Sequence, residues 1–203
     1  MEKGLMIVIS GPAGSGKGTV NAHLLATGDF VYSVSATTRA PRPGETHGVN
    51  YYFVTREEFE GRIREGGMLE YTEYCGNYYG TPKKEALEVV ASGKNLILEI
   101  EVEGAMNIKR ANPEAVLIML LPPSFEKQEE RLRGRGTETE EKILERLQRT
   151  REEVALVGNY DYIVYNEDGC DKDAAEAIKE IVRSEKRAVK RNTQAADKYF
   201  GRQ

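Results

Sequence analysis

Short apolar runs alternate with polar and amphipathic stretches along most of the chain. The runs predict strands at residues 5–10, 32–35, 95–100, 115–121 and 162–165, and helix caps and breakers predict helices near 20–25, 81–92, 103–112, 124–133, 137–157 and from 171 onward. Strands that alternate with helices form a parallel sheet covered by helices on both faces. The sequence therefore predicts an α/β fold whose ligands bind at the carboxyl ends of the strands.

The alternation is interrupted between residues 36 and 80. Two prolines and a glycine predict a loop at 36–45, and strands are predicted at 50–54 and 68–74. A Thr55–Glu58 capping box predicts a helix to about residue 65, and 76–80 is predicted to be a turn before a helix capped by Thr81 and Pro82. We therefore expect a small, mainly β insertion at 36–80 and a core domain formed by residues 1–35 and 81–203.

A glycine-rich segment joins the first predicted strand to the first predicted helix. It consists of Gly11, Pro12, Ala13, Gly14, Ser15, Gly16, Lys17, Gly18 and Thr19. Glycines let successive N–H groups converge on an anion, a helix N-terminus favours negative charge, and Lys17 adds a mobile cation. The order predicts a phosphate loop (P-loop) for a nucleoside triphosphate, although Gly18 stands where the usual motif has the Ser or Thr that reaches magnesium.

Arginines cluster between residues 131 and 151, beside Gly134 and Gly136. A glycine-hinged, arginine-rich segment next to a triphosphate site predicts a lid, at about residues 134–146, that closes on the transferring phosphoryl group. The arginines assigned to this site are Arg131, Arg135 and Arg146. We expect Arg149 and Arg151 to form ordinary ion pairs on a helix surface.

Composition and charge restrict the class of protein. The 203 residues are 39% hydrophobic and 31% charged, and no apolar run approaches the ~20 residues of a membrane span, so no membrane partner is expected. The chain enters a strand within a few residues, without a secretory signal pattern, which favours the cytoplasm. Cys75 and Cys170 are expected to be free thiols, and with two histidines in the chain no metal site built from side chains is expected.

The formal net charge of −4 is unevenly distributed. Residues 183–203 contain seven basic and two acidic residues. Nucleic acid could bind such a tail, but the charges are scattered, and no regular interleaving of aromatic residues with them suggests base stacking. We therefore expect a solvated helical tail and no nucleic-acid partner, while the choice between monomer and homo-oligomer stays open.

Five segments in order carry a resemblance to a known family. They are 9–17 of the glycine-rich loop, 33–45 with Gly48 and Tyr51, 76–81, 131–138 and 161–166. Together they resemble guanylate kinases over roughly residues 5–182. The resemblance implies a core domain, a GMP-binding insertion and a lid that transfer the γ-phosphoryl group of ATP to GMP in the presence of Mg²⁺.

The resemblance also implies roles for individual positions. The base of GMP is assigned to Ser35, Glu70, Thr81 and Glu99, and its phosphate to Arg39, Arg42, Tyr51 and Tyr79. ATP is assigned to the glycine-rich loop together with Arg131 and Asn166, and the catalytic charges to Lys17, Arg39, Arg135 and Arg146. The chemistry agrees, because a carboxylate accepts two parallel hydrogen bonds from guanine and paired arginines bind phosphate oxygens.

The chain departs from the family pattern near the triphosphate. Glu99 and Glu101 stand where Asp is more familiar, Glu103 stands in place of Gln, and Gly18-Thr19 is similar to adenylate kinases. We therefore expect Thr19 to contact a phosphate and Mg²⁺ to be held mainly by ATP phosphates and water.

Two other functions compete with this interpretation. An adenylate-type kinase fits Gly18-Thr19 but not an insertion that carries Glu70 and two arginines. A non-catalytic guanylate-kinase-like module, which binds phosphorylated peptides at a similar arginine site, does not require the intact Lys17 loop and the lid.

Overall fold

The computed structural model describes residues 3–134, 136 and 139–202, without the side chain of residue 74. A central sheet contains five parallel strands in the order β2-β7-β1-β8-β9. These strands are β1 (Met6–Ser10), β2 (Phe30–Tyr32), β7 (Asn95–Leu98), β8 (Val116–Leu121) and β9 (Tyr162–Tyr165). Around them lie the helices α1 (Lys17–Leu25), α3 (Lys83–Ala91), α4 (Val102–Ala111), α5 (Phe125–Gly134), α6 (Glu140–Ala155), α7 (Asp171–Arg187) and α8 (Ala195–Tyr199).

Both faces of the central sheet are buried, and β1 shows how. All five of its residues are buried, with Ile7 and Ile9 in one apolar cluster and Met6 and Val8 in another. Successive side chains of a strand point to opposite faces, so one strand supplies both clusters. The first cluster includes residues of α1 and α7, and the second includes residues of α3 and α4. The predicted α/β fold, with a parallel sheet covered on both faces, is confirmed.

A second sheet of four strands has the order β4-β3-β6-β5. Its strands are β3 (Ala36–Thr37), β4 (Tyr52–Phe53), β5 (Met68–Tyr74) and β6 (Asn77–Pro82), and α2 (Arg56–Arg64) lies between β4 and β5 in the chain. Thr55 and Glu58 form the predicted capping box, because each side chain accepts a hydrogen bond from the other residue's backbone N–H.

Several local predictions were wrong. The loop predicted at 36–45 begins with the strand β3. Residues 77–82 form a strand instead of a turn, and Thr81 lies within that strand while Pro82 is the N-cap of α3 without a side-chain bond. The strand expected at 32–35 ends at Tyr32. α6 begins at Glu140 with Thr139 as its N-cap, so the cap expected at residue 137 lies outside the described residues and the helix starts later than predicted.

The basic tail is partly attached to the core. α7 ends at Arg187, and a 3-10 turn at 189–191 brings Arg191 to Glu185 at 2.9 Å and to Glu114 at 3.0 Å. The Arg191 side chain is 13% exposed. The solvated tail that the sequence predicts is therefore found for α8, whose five residues are all exposed, and not for Arg191.

Candidate functional site

The P-loop leaves β1 and turns into α1, and two of its glycines have no room for a side chain. A Cβ on Gly11 would lie 2.1 Å from the carbonyl oxygen of Leu120, and one on Gly16 would lie 2.2 Å from Asn166 Nδ2. Gly16 also has φ +87°, in the left-handed region that glycine tolerates best. The glycines therefore serve close packing as well as the turn that ends at the N-terminus of α1.

Lys17 is the first residue of α1, and its side chain bonds back to the P-loop. Its Nζ donates hydrogen bonds to the carbonyl oxygens of Gly11 and of Pro12, the latter at 3.3 Å. The side chain borders a cavity of about 580 Å³ between the P-loop, the segment after β7 and the helix α6. The other charged residues that line the cavity are Glu99, Glu101, Lys142, Glu145, Arg146, Arg149 and Glu153. Lys17 and Arg146, assigned from distant segments of the chain, therefore line one cavity.

Glu99 lies just beyond the end of β7 and is held from two sides. Its Oε2 accepts a hydrogen bond from Asn21 Nδ2 at 2.9 Å and another from the Tyr32 hydroxyl at 3.0 Å. Burial, together with the negative charge of Glu99, raises the pKa of Tyr32 to about 12. The hydroxyl of Tyr32 therefore stays protonated at neutral pH and donates to the carboxylate.

Arg149 belongs to the cavity in addition to the helix surface. It forms the expected i,i+4 ion pair with Glu153 at 3.1 Å, and its Nη2 also forms an ion pair with Glu101, which precedes α4. Burial raises the pKa of Glu153, and the charges of Arg149 and Lys17 oppose that rise. The prediction of an ordinary surface ion pair for Arg149 was therefore incomplete. The sequence did not indicate the second pair, because Glu101 is 48 positions away in the chain.

Arg131 and Asn166 line a second pocket of the P-loop, together with Gly14 and Gly16. Arg131 donates hydrogen bonds to the carbonyl oxygens of Gly14 and Asn166, at 3.3 and 2.8 Å, and forms an ion pair with Asp168 at 2.7 Å. Asn166 is buried, and its Nδ2 donates to the Ser15 carbonyl oxygen at 2.9 Å. These two assigned residues therefore tie the P-loop to the segment after β9.

Arg39 follows β3 and forms a polar cluster with Glu45, Tyr51 and Tyr79. Its Nη2 is 2.9 and 3.0 Å from the two carboxylate oxygens of Glu45, and its guanidinium carbon lies 5.6 Å from the centre of the Tyr51 ring. The rings of Tyr51 and Tyr79 meet edge to face at 6.1 Å. The hydrogen bond from Arg39 holds the pKa of Glu45 below its usual range. Arg42 has an exposed side chain and joins the cluster through its backbone N–H, 2.7 Å from Glu45 Oε2.

Glu70 and Thr81 are cross-strand partners on β5 and β6. The buried hydroxyl of Thr81 donates a 2.7 Å hydrogen bond to Glu70 Oε1. Burial raises the pKa of Glu70, and the bonds from Thr81 oppose the rise. A Cβ on Gly104 would lie 3.7 Å from Glu70 Oε2, which places this carboxylate beside the first turn of α4 in the core domain.

The remaining assigned residues differ in what surrounds them. Ser35 is half-buried, and its carbonyl oxygen accepts a 2.8 Å bond from the Tyr52 backbone N–H. Gly18 and Thr19 are exposed on the first turn of α1. Arg135 lies outside the described residues, so its assignment stays a prediction.

Sequence patterns did not reveal Asn21, Tyr32 or Glu153 as parts of the site. Asn21 follows the P-loop by a few positions and is a polar residue among the buried positions of α1. The sequence shows its place in the chain, but its burial appears only in the structure. Among the described residues, no cluster of three or more His, Cys, Asp or Glu side chains could hold a metal ion. Across the same residues, every helix is too short or too polar to cross a bilayer.

Comparison with known proteins adds independent evidence. The guanylate kinase family model matches residues 3–185. A guanylate kinase from Streptococcus thermophilus (strain CNRZ 1066) is 51% identical over 192 residues, which cover 94% of this chain and 91% of the relative, and one from Clostridium tetani (strain Massachusetts / E88) is 49% identical over 193 residues, with the same coverage of both chains. The crystal structure of guanylate kinase from Anaplasma phagocytophilum aligns with a TM-score of 0.69 at 35% identity and covers 94% of this chain and 90% of that one.

The family model spans most of the chain, and the relatives match over nearly their whole length. The chain therefore belongs to the guanylate kinase family, nucleoside monophosphate kinases that use ATP to phosphorylate GMP to GDP.

Proposed function

We propose that the chain carries out this transfer with Mg²⁺ as its metal and with the residues assigned above in defined roles. On the donor side, the P-loop residues 11–19 bind the ATP phosphates, and Arg131 and Asn166 flank the nucleotide. The support is geometric. The N-terminus of α1 and the Lys17 ammonium face one cavity, and Arg131 with Asn166 border the same loop.

The acceptor GMP is assigned to residues 36–80 together with Ser35, Thr81 and Glu99. Arg39, Arg42, Tyr51 and Tyr79 bind its phosphate, since the described geometry brings Arg39 and both tyrosine rings together. Glu70 and Thr81 bind the base, because a half-buried carboxylate beside a hydroxyl can accept guanine's N1–H and 2-amino group. Ser35 and Glu99 complete the base site.

Transfer itself requires alignment and charge neutralisation more than covalent chemistry. Lys17, Arg39, Arg135 and Arg146 supply positive charge to the transferring phosphoryl group. Segment 134–146 acts as the lid that brings Arg135 and Arg146 into place and excludes water. The placement of Arg146 and Lys17 on one cavity supports this division.

The donor set around the cavity fits a hard cation bound mainly by the nucleotide. The Glu101 carboxylate is an oxygen ligand of the right kind, but it already pairs with Arg149, and Gly18 offers no hydroxyl. Mg²⁺ would be held mainly through ATP phosphates and water. When bound, the ion neutralises charge on the phosphates.

The two free cysteines are consistent with the reducing conditions of the cytoplasm. Cys75 is exposed and Cys170 is half-buried, and both are free. Exposed free thiols persist in a reducing compartment. We therefore assign the protein to the cytoplasm.

The assignment of the base site depends mainly on the hydrogen bond between Thr81 and Glu70. The preference for GMP over AMP as a substrate tests this assignment. Adenine presents a bare ring nitrogen where guanine has N1–H, so AMP would set lone pair against lone pair. We expect kcat/KM for GMP to exceed that for AMP by on the order of 10⁴. The Glu70→Gln variant should have lower activity toward GMP and a smaller ratio of kcat/KM for GMP to kcat/KM for AMP.

A matched control separates base recognition from a general effect on the strand. Glu73 lies on the same strand, is 45% exposed and pairs with Arg56 at 3.2 Å. Glu73→Gln should therefore leave the preference for GMP over AMP intact. A Glu70→Gln enzyme with an unchanged preference would show that another residue reads the base.

A further inference from the structure

Two donors from separate elements meet on one oxygen of Glu99. Asn21 lies on α1 and is completely buried, and its Nδ2 is 2.9 Å from Glu99 Oε2. Tyr32 is the last residue of β2, and its hydroxyl is 3.0 Å from the same oxygen. Because β2 and β7 are adjacent parallel strands, Tyr32 and Glu99 emerge at the same edge of the sheet. The lone pairs of Oε2 are therefore occupied by two protein donors.

These two bonds orient a side chain that would otherwise be free to rotate. Glu99 is exposed, and a glutamate side chain has several rotatable bonds whose freedom is lost when the side chain is fixed. The amide of Asn21 has one favourable orientation, because the reverse orientation would bring Asn21 Oδ1 against the carboxylate. Oδ1 is itself buried and has no hydrogen-bond partner among the described residues. Asn21 therefore presents its donor, and only its donor, to Glu99.

The other carboxylate oxygen is left for a ligand. Both of the hydrogen bonds described above fall on Oε2, and Glu99 lines the cavity that Lys17 borders. Guanine has a 2-amino group with two hydrogens. One lies parallel to N1–H and is taken by Glu70 in the proposed complex, while the second points away and needs a separate acceptor.

We infer that Asn21 and Tyr32 are positioning residues for the base. By holding Oε2 of Glu99 they turn Oε1 toward the second amino hydrogen of guanine, and they thereby set the preference for a 2-aminopurine over a purine without that group. The inference rests on the proposed role of Glu99 in the base site.

Inosine monophosphate (IMP) is the probe, because its base keeps N1–H and lacks the 2-amino group. Tyr32→Phe removes one donor without changing the ring, and Asn21→Leu removes the other with little change in volume. Each variant should lower kcat/KM for GMP about tenfold, as expected for a weakened bond to a charged group, and leave kcat/KM for IMP and KM for ATP within about twofold. Retained IMP activity also shows that the variant is folded.

The control removes an equivalent bond elsewhere. The Tyr162 hydroxyl donates to Glu185 Oε1 at 2.7 Å, on β9 and α7, so Tyr162→Phe deletes a tyrosine–glutamate bond of the same kind without touching the cavity residues. Tyr162→Phe should leave the GMP/IMP ratio unchanged. If Tyr32 acts through Glu99, the double variant Tyr32→Phe with Glu99→Gln should show the same ratio as Glu99→Gln alone.

The outcomes separate this inference from the assignment on which it rests. If Glu99→Gln leaves the GMP/IMP ratio of the wild type unchanged, Glu99 does not read the amino group and both ideas fail. If Glu99→Gln lowers the ratio while Tyr32→Phe and Asn21→Leu do not, Glu99 keeps its role and the positioning inference alone is overturned. Equal losses toward GMP and IMP in both donor variants would likewise overturn it, since they indicate a structural effect only.

Discussion

Nη2 of Arg39 donates hydrogen bonds to both carboxylate oxygens of Glu45, at 2.9 and 3.0 Å, while the guanidinium carbon lies 5.6 Å from the centre of the Tyr51 ring. Both charged side chains are mostly buried, with 16% and 19% of their surfaces exposed. Arg39 Nη1 donates to the Ala40 carbonyl oxygen at 2.7 Å. Arg39 is therefore held in one orientation, and such preorganisation would lower the entropic cost of binding the acceptor phosphate in the proposed complex.

Arg39→Ala is expected to lower kcat/KM for GMP by about 10²–10³, because it removes a fixed charge from the acceptor phosphate. Steady-state kinetics with GMP varied at saturating ATP measures the effect. Arg56→Ala is the matched control, since Arg56 also pairs with carboxylates and lies 4.5 Å from the Tyr78 ring centre. Comparable losses in both variants would remove Arg39 from the site.

Lys17→Met should reduce kcat by about 10²–10³ and leave the thermal midpoint within a few degrees, since it removes a charge from the phosphates without emptying a core position. Turnover and thermal unfolding are measured on the same preparation. Lys94→Met, which changes an exposed lysine bonded to the Gly28 carbonyl oxygen, should change neither. A drop in kcat of less than about tenfold for Lys17→Met would contradict the assignment.

Arg146→Ala is expected to lower kcat by about 10² while the GMP dissociation constant stays within about threefold, because contacts made near the transition state appear in rate and not in ground-state binding. Single-turnover kinetics and calorimetry separate the two quantities. Arg151, on the same helix, lies 4.8 Å from the Phe125 ring centre and does not line the cavity with Lys17. Arg151→Ala should therefore keep normal turnover. If Arg146→Ala lowered the affinity for GMP as much as it lowered kcat, Arg146 would not have a catalytic role.

Glu185 provides a prediction about acid stability. Burial alone would raise its pKa, but hydrogen bonds from Tyr162, Lys190 and Arg191 lower the pKa to about 2, from an ordinary value of 4.5. The ionised group is therefore more stable in the folded than in the unfolded chain. Its contribution is present above about pH 4.5 and is lost as the pH falls toward 2.

Glu185→Gln should reduce the free energy of unfolding by about 2 kcal/mol at pH 7, and the difference from wild type should shrink as the pH falls below 4.5. Denaturant titrations at several pH values measure this difference. Glu88→Gln removes a carboxylate that is 65% exposed and 3.9 Å from Lys84, so it should cost less than about 0.5 kcal/mol at any pH. A Glu185→Gln difference that does not depend on pH would contradict the proposed linkage.

Local sequence was sufficient wherever the physical cause is local. The apolar run of β1, the glycines that follow it and the Thr55–Glu58 capping box each depend on residues a few positions apart, and each appears as predicted. The alternation of strands and helices likewise predicted a parallel sheet, because consecutive parallel strands need a crossover element between them.

The strand at 77–82 shows where local signals failed. Gly76 and Gly80 favoured a turn, and Gly76 does form one, with φ +74°. Gly80 instead lies inside β6, where a Cβ would be 2.5 Å from the Glu70 carbonyl oxygen and 2.8 Å from Tyr71 Cβ. A glycine required by the close approach of a neighbouring strand has the same letter as a glycine required by a turn, and only the pairing distinguishes them.

The sequence by itself determined the phosphate loop, the α/β class and the family, since these depend on short patterns in a fixed order. Only the tertiary structure decided that Asn21 and Tyr32 share one oxygen of Glu99, and that Arg149 reaches Glu101. Asn21 and Glu99 are separated by 78 positions, Tyr32 and Glu99 by 67, and Arg149 and Glu101 by 48. Such contacts depend on strand order and on how α1 and α6 pack against the sheet edge, which are properties of the whole fold and not of any single segment.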